Sequence, residues 1–222
     1  MGLKINNSSS DRAIVDLYGD IGDEFGGITS DQIRKELAQI PSNKAIELHI
    51  HSGGGSFFEA VAIHSTLKQR KGEVHVVVDG LAASAASLIA MAGKTITMAK
   101  HSSMMMHEAE GGKSGRASAM RALADRLDAV NRDIVAIYSK RWKGTEAELV
   151  AALDAETWLS AEEAVAAGLA DFVGESLAIA ACLDNSRFHY KNVPQEILNA
   201  KATFPQLAEA EAVIDELFSE TK

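Results

Sequence analysis

The chain lacks the residues from which disulfide-stabilised proteins, cysteine–metal clusters and membrane spans are built. Cys182 is the sole cysteine among 222 residues, which excludes an internal disulfide. The longest strongly apolar run extends only from Leu81 to Gly93, whereas a membrane-spanning helix needs about 20 such residues. Residues 1–6 show no apolar signal-peptide core. We therefore expect a cytoplasmic protein that holds no metal and does not enter a membrane.

Basic residues are also scarce. Lys and Arg total 22 against 31 Asp and Glu, which gives a net charge of −9 and an isoelectric point near 5.3. Nucleic-acid binding requires clustered cations, so we expect no nucleic-acid partner. Gly112-Lys113-Ser114 has the ending of a phosphate-binding loop, but His107 stands where the leading glycine would be, and no GxGxxG pattern occurs. The sequence predicts no nucleotide and no other cofactor.

The chain does contain enough apolar residues, 46%, to bury a full core. Short β-type runs alternate with longer helical patterns, which predicts an α/β fold with crossover helices. We expect one domain over residues 1–175 and a C-terminal extension, partly helical, over 176–222. The predicted strands are 13–17, 45–51, 74–78, 95–99 and 103–107. The predicted helices are 30–40, 57–69, 116–141, 146–153, 160–167 and 206–218, with a further small-residue helix around Ser84.

Ser84 lies at the most informative point of the chain. A β-branched run, Val74 to Val78, ends in Asp79-Gly80, and a helix of small residues follows with Ser84 in its first turn. A sharp strand-to-helix turn exposes a hydroxyl at the positive end of a helix dipole, and tiny neighbours let a substrate backbone approach. The pattern therefore predicts that Ser84 is a nucleophile.

A serine nucleophile needs a base and a site for the developing negative charge. His107 ends a predicted strand and opens into a Gly-rich loop, a common position for a catalytic side chain. His51 and His101 are comparable by position, and periodicity does not choose among the three. Backbone amides of the turn Gly53-Gly54-Gly55, together with the amide of Ala85, could form an oxyanion hole.

Four short motifs occur in a fixed order between about residue 13 and residue 173. They are Ile50-His51-Ser52-Gly53-Gly54-Gly55, Gly80-Leu81-Ala82-Ala83-Ser84-Ala85, Met106-His107-Glu108 with Gly111-Gly112, and Trp158-Leu159-Ser160-Ala161-Glu162-Glu163-Ala164 with Gly168-Leu169-Ala170-Asp171. In this combination and order the chain resembles the proteolytic subunit of Clp protease.

The resemblance implies a Clp/crotonase-type fold of repeated ββα units and a serine peptidase that acts on peptides or unfolded proteins. It further implies a homo-oligomeric ring, heptameric or stacked, in which a long helix from Arg116 is the handle through which rings associate. Carried over residue by residue, it makes Ser84 the nucleophile and His107 the general base. The amides of Gly55 and Ala85 become the oxyanion hole.

Three features depart from the family pattern. The third triad member is an aspartate in the family, whereas Glu156 occupies the aligned position here, with Asp154 and Asp171 as alternatives. Glutamate can also orient an imidazole. The segment before the first predicted strand is short, which weighs against partnership with an unfoldase ATPase. The acidic extension after about residue 176 could pack on a neighbour or bind a partner, and such departures are more typical of phage head-maturation proteases.

Two other functions fit the same pattern. A crotonase-type acyl-CoA enzyme would use the paired amides for a thioester oxygen and would not need a serine–histidine pair. A catalytically silent ring or capsid-assembly component would have a misaligned triad at Glu156. A Ser–Lys dyad with Lys94 is a further mechanism for the peptidase.

Overall fold

A single mixed sheet organises the part of the chain that the structure, a computed structural model, describes: residues 3–6, 11–175, 183 and 188–198. The strands are β1 (Leu3–Asn6), β2 (Arg12–Tyr18), β3 (Ala45–Ser52), β4 (Val74–Ala83), β5 (Thr95–Ala99), β6 (Ser103–Met106), β7 (Thr157–Ser160) and β8 (Phe172–Gly174). The helices are α1 (Ser30–Leu37), α2 (Phe57–Lys68), α3 (Ala85–Ala90), α4 (Ala117–Tyr138), α5 (Glu146–Asp154) and α6 (Ala161–Ala167).

The strand order is β1-β2-β3-β4-β5-β8, with β6 paired to β4 and β7 paired to β6. β2, β3, β4 and β5 are mutually parallel, so helices connect them across the sheet. Alternate residues of β2 point into the core: Ala13, Val15 and Leu17 are buried. The predicted α/β class and its alternation of strands and crossover helices are confirmed.

Helix starts follow local sequence signals. Thr29 and Gln32 form the capping box that their spacing predicts, and Thr145 and Glu148 form another at the start of α5. α1 ends at Leu37, three residues earlier than the pattern indicated, with residues 38–40 in a turn before Pro41. α4 begins one residue later and ends three residues earlier than its predicted range of 116–141.

β4 is the element that positions the site. It is ten residues long, because it continues through Asp79-Gly80 as far as Ala83, where the sequence pattern had ended the strand at Val78. Its first half pairs with β3 and β5. Its last residues keep one pair with β3, Ala82 opposite Ser52, and also pair in parallel with β6, with Ala83 opposite Met105. β6 therefore takes the place of β5 beside the end of β4, where Ser84 follows.

The sequence did not predict β1, β7 and β8. β1 and β8 are short edge strands, and β7 pairs only with β6, so none has a long apolar run to mark it. The predicted helix over 206–218 lies outside the described residues. None of the described helices is long and apolar enough to cross a bilayer.

Candidate active site

Ser84 sits at a strained junction between β4 and α3. Its φ of 53° and ψ of −119° lie outside the regions that serine normally occupies, and such strain, about 1–3 kcal/mol, persists only where the surroundings fix the backbone. The amide of Ser84 donates to Met105 O at 2.9 Å, so the ladder between β4 and β6 holds the turn from one side. The side chain therefore projects from a fixed point, as the strand-to-helix pattern predicted.

His107 directly follows β6, the strand that pairs with the end of β4. Since β4 and β6 are parallel, their carboxyl ends meet at one edge, and Ser84 and His107 emerge side by side. Ser84 Oγ lies 2.7 Å from His107 Nε2, within hydrogen-bond distance. With the proton of the neutral ring on Nδ1, Ser84 donates to Nε2, which is the arrangement of a nucleophile and its base.

The protonation of His107 also suits a base. Burial lowers the pKa of its imidazole below the ordinary 6.5, while the carboxylates of Glu110 and Glu156 partly oppose that shift and Lys191 adds to it. The ring is therefore mainly neutral at pH 7, with Nε2 free to accept a proton.

The glycine turn packs against Ser84. A Cβ atom on Gly54 would lie 2.7 Å from Ala83 O and 3.0 Å from Ser84 Cβ, and Gly54 has a φ of 105°. Gly55 has a φ of 139°, and a Cβ there would lie 2.0 Å from Ile21 O. Only glycine fits either position. Within the described residues, the Gly55 amide donates to no backbone carbonyl. The Ala85 amide is the first of α3 and therefore has no acceptor inside its helix.

Glu156 lies beside His107 but is bonded elsewhere. β7 runs antiparallel to β6 with Met106 opposite Thr157, and Glu156, in the turn with a φ of 51° that precedes β7, is next to this pair at the end of β6 that His107 follows. The carboxylate is buried, 7% exposed, and raises the pKa of His107 by its charge. Its hydrogen bonds among the described residues come from the amides of Lys191 and Asn192, at 2.9 and 2.6 Å, and from Trp158 Nε1.

The other two candidate carboxylates are either exposed or bonded to other groups. Asp154 is an exposed residue at the end of α5. Asp171 accepts a hydrogen bond from the Ile96 amide at 2.7 Å and forms an ion pair with Arg141.

The remaining predicted alternatives also have other surroundings. Lys94 forms an ion pair with Glu73, and its amide bonds Val74 O at the start of β4, a strand of about 30 Å whose far end carries Ser84. His101 is exposed in a turn, and His51 is buried with its ring edge against Tyr18. Of the three histidines that position alone left open, it is His107 that contacts the serine.

Comparison with known proteins decides the family. The Clp protease family model matches residues 3–176. The chain belongs to the Clp protease family. It is 31% identical over 185 residues to ATP-dependent Clp protease proteolytic subunit 1 of Prochlorococcus marinus subsp. pastoris. The aligned residues cover 77% of this chain and 94% of the relative. It is 28% identical over 168 residues to the ATP-dependent Clp protease proteolytic subunit of Bacteroides fragilis, covering 73% and 81%.

The ATP-dependent Clp protease proteolytic subunit of Chlorella vulgaris is 35% identical over 134 residues, 59% of this chain and 66% of the relative. As a member of the Clp protease family, the chain is a serine-type endopeptidase. The predicted fold class and the predicted enzyme class are confirmed.

Two features near the site had no signal in the sequence. Residues 188–193, beyond the end of the family match, lie against the site, with Tyr190 OH donating to Gly53 O at 2.7 Å. Ser87 is buried, and its hydroxyl lies within 2.7–2.8 Å of Ser84 O, Met105 O and Tyr138 OH. No sequence pattern indicates these contacts of Ser87, because a serine among alanines does not reveal a distant tyrosine partner.

Proposed function

We propose that this Clp-family chain hydrolyses peptide bonds with Ser84 as nucleophile, His107 as general base, and the amides of Gly55 and Ala85 as the oxyanion hole. The observation that carries the proposal is the 2.7 Å contact between Ser84 Oγ and His107 Nε2 at the ends of two parallel strands. An acyl-CoA enzyme of the crotonase type would need the paired amides but not this contact. The contact therefore favours the peptidase.

The reaction divides into two similar steps. Ser84 Oγ attacks the scissile carbonyl carbon while His107 Nε2 takes the hydroxyl proton, and the two amides bind the carbonyl oxygen as it becomes negative. The C–N bond then breaks, and His107 returns the proton to the leaving amine. A water molecule repeats the sequence on the acyl-serine, giving a carboxylic acid and the free Ser84 hydroxyl.

We assign Glu156 the role of the acidic group beside the base. Its position directly before β7, beside the end of β6 that His107 follows, its burial and its effect on the His107 pKa support this role, because a nearby negative charge stabilises the imidazolium formed during attack. Asp154 and Asp171 have less support, since one is exposed and the other is bound to Arg141.

The assembly we propose is a homo-oligomeric ring, heptameric or stacked, that admits unfolded proteins. α4 supports it: Met120, Leu123, Leu127 and Val130 recur at helical spacing in the part of α4 that precedes its first buried residue, Ile134. A helix with an apolar stripe and little burial in its own chain is suited to packing against another copy. The relatives are named ATP-dependent, so an unfoldase ATPase is the partner to test, although the sequence weighed against it.

Replacing the nucleophile tests the proposal. Ser84→Ala should lower hydrolysis of fluorescein-labelled casein by at least about a thousandfold, because the acyl-enzyme can no longer form. Ser114→Ala, in an exposed loop, is the matched control and should retain full activity. Equal hydrolysis by the Ser84→Ala variant and the native chain would refute the assignment of Ser84.

A second pair of variants tests the base. His107→Asn should lose most of the activity, whereas His101→Asn, in an exposed turn where φ is 70°, should not. If His107→Asn retained full activity, a base other than His107 would be required.

A further inference from the structure

Tyr190 fills the space in front of the serine–histidine pair. Its side chain is 7% exposed, and its hydroxyl donates to Gly53 O at 2.7 Å. The same hydroxyl is close enough to the Ser84 hydroxyl to interact with it, and it lies 3.1 Å from where a Cβ on Gly54 would stand. The ring meets the His107 ring edge-on, with centroids 5.4 Å apart. An acyl group whose oxygen is bound by the Gly55 and Ala85 amides would have to occupy this same space.

The neighbouring residues of the segment bind Glu156. The amides of Lys191 and Asn192 both donate to its carboxylate, and Asn192 Nδ2 donates to Ala155 O at 2.8 Å. Two amide donors to one buried carboxylate make a strong, charge-assisted contact. The carboxylate whose charge acts on His107 is therefore hydrogen-bonded to the segment.

An apolar cluster separate from the main core anchors the segment. Phe188 stacks on Tyr190, with ring centroids 5.4 Å apart and planes 5° from parallel. A Cβ on Gly53 would come within 2.7 Å of Phe188 Cε2 and 2.8 Å of Leu183 Cδ1, so these side chains cover the glycine turn closely. The cluster consists of Leu81, Ala83, Met105, Leu183, Tyr190 and Ile197, with Trp158, Phe188 and Val193 packed against it.

We propose that residues 188–193, here called the strap, are an autoinhibitory segment that occupies the substrate cleft and must leave before a peptide can bind. The inference rests on the proposed function. It commits to the chain's own segment as the occupant, because the segment follows the matched family domain, which ends at residue 176, and bonds both the glycine turn and Glu156. On opening, the strap releases the Glu156 carboxylate, which becomes available to His107 Nδ1.

The first test loosens the strap in the full-length chain. Phe188→Ala/Tyr190→Ala removes the stacked rings and should raise the rate at which a fluorophosphonate phosphonylates Ser84, with loss of fluoride, by about tenfold, because reactivity follows the fraction of chains that are open. His189→Asn is the matched control, since His189 is exposed within the strap, and should leave the rate unchanged. A rate in the double variant equal to or below that of the native chain would overturn the proposal.

A milder variant covers the case in which the double variant does not fold. Tyr190→Phe keeps the ring stack and removes the hydroxyl bond to Gly53, so labelling should accelerate by a smaller factor, about threefold. Unchanged or slower labelling of this variant would overturn the autoinhibitory role. If the segment merely completed the site, loosening it would not raise the labelling rate of Ser84.

A peptide added in trans supplies an independent readout. A synthetic peptide of residues 188–198 should inhibit casein hydrolysis by Phe188→Ala/Tyr190→Ala competitively, raising KM without changing kcat, whereas a scrambled peptide should not. Absence of inhibition would refute occupancy of the cleft. Failure of the proposed function looks different: no variant, nor the native chain, would then label at Ser84.

Discussion

Ser84 and Gly55 both hold backbone conformations that most residues avoid, and their neighbours account for it. The backbone of Ser84 is held by the hydrogen bond that its amide donates to Met105 O. Gly55 is fixed by its close approach to Ile21, whose carbonyl would lie 2.0 Å from any Cβ at that position. The site therefore depends on residues whose side chains take no part in the chemistry.

Gly55→Ala should abolish peptide hydrolysis. The new methyl cannot fit beside Ile21 O, and a φ of 139° is strained for alanine, so the turn and its amide must move. Casein hydrolysis measures the loss. Gly112→Ala is the control, because a Cβ there meets no atom within 4 Å, and it should keep native activity. Full activity in Gly55→Ala would exclude its amide from the oxyanion hole.

The pH dependence of kcat/KM should report the protonation of His107. Burial lowers its pKa below 6.5, so the base remains neutral as the pH falls towards that value and is protonated only below it. The acidic limb of kcat/KM should therefore have its midpoint below pH 6.5. Glu110, Glu156 and Lys191 are the charged groups that act on this ring. A midpoint clearly above 6.5 would contradict the buried, neutral base.

Ser87 should contribute to stability but not to chemistry. Ser87→Ala leaves the buried Tyr138 hydroxyl without its partner at 2.7 Å, at a cost of about 1–3 kcal/mol in the free energy of unfolding. Denaturant titration measures this change. Ser84 should still be labelled by a fluorophosphonate in this variant. Ser84→Ala should show the opposite pattern: lost labelling with little change in stability.

Among the elements, the parallel strands and their helices were predictable and the last part of β4 was not. Alternating apolar residues mark β2, β3 and β5, and turn residues bound them. Asp79-Gly80 looked like the end of β4, yet the strand continues because β6 supplies a new partner at Leu81. No local pattern reports a partner strand that lies some 20 residues further along the chain.

The pairing of β3 with β4 buries a charged contact that should make stability depend on pH. His49 Nδ1 lies 2.9 Å from an Asp79 oxygen, and this bond and its charge raise the pKa of His49 to about 9. The Tyr18 hydroxyl also donates to Asp79 at 2.5 Å. Glu47 is a hydrogen-bond partner of the other His49 ring nitrogen, and Asp16 is a further carboxylate whose charge acts on this group.

Because the folded-state pKa lies above the ordinary 6.5, the contribution of His49 is fully present below pH 6.5 and is lost as the pH rises through about 9. The free energy of unfolding, measured in urea at pH 6 and pH 10, should fall more in the native chain than in His49→Gln. Equal falls in both would contradict this contact.

At the scale of the whole molecule, α4 should join subunits. Leu123→Asp/Leu127→Asp places two charges on its apolar stripe and should reduce the assembly to about half its mass if rings stack through this helix. Sedimentation velocity measures the mass. Ala124→Asp, exposed on the same helix, is the control. An unchanged mass in the double variant would place the contact elsewhere. Ring size and cytoplasmic location stay predictions.

The strap marks the limit of prediction from sequence for the whole chain. Ser84, His107 and the glycine turn follow from motifs whose order is fixed. Tyr190 lies 83 residues beyond His107 in the chain, and nothing in its local sequence indicates that it contacts His107, Gly53 and Ser84. Glu156 could be aligned with the triad, but its bonds to Lys191 and Asn192 depend on the folded path of that segment.

Mass spectrometry of the fluorophosphonate-treated protein tests the central claim most directly. The account predicts one adduct, on the peptide that contains Ser84, formed in the native chain and faster in Phe188→Ala/Tyr190→Ala. It predicts no adduct on that peptide in Ser84→Ala, although Ser87 remains there as an internal control. An adduct that persists in Ser84→Ala, or the absence of any adduct in both the native and the loosened chain, would contradict Ser84 as the nucleophile.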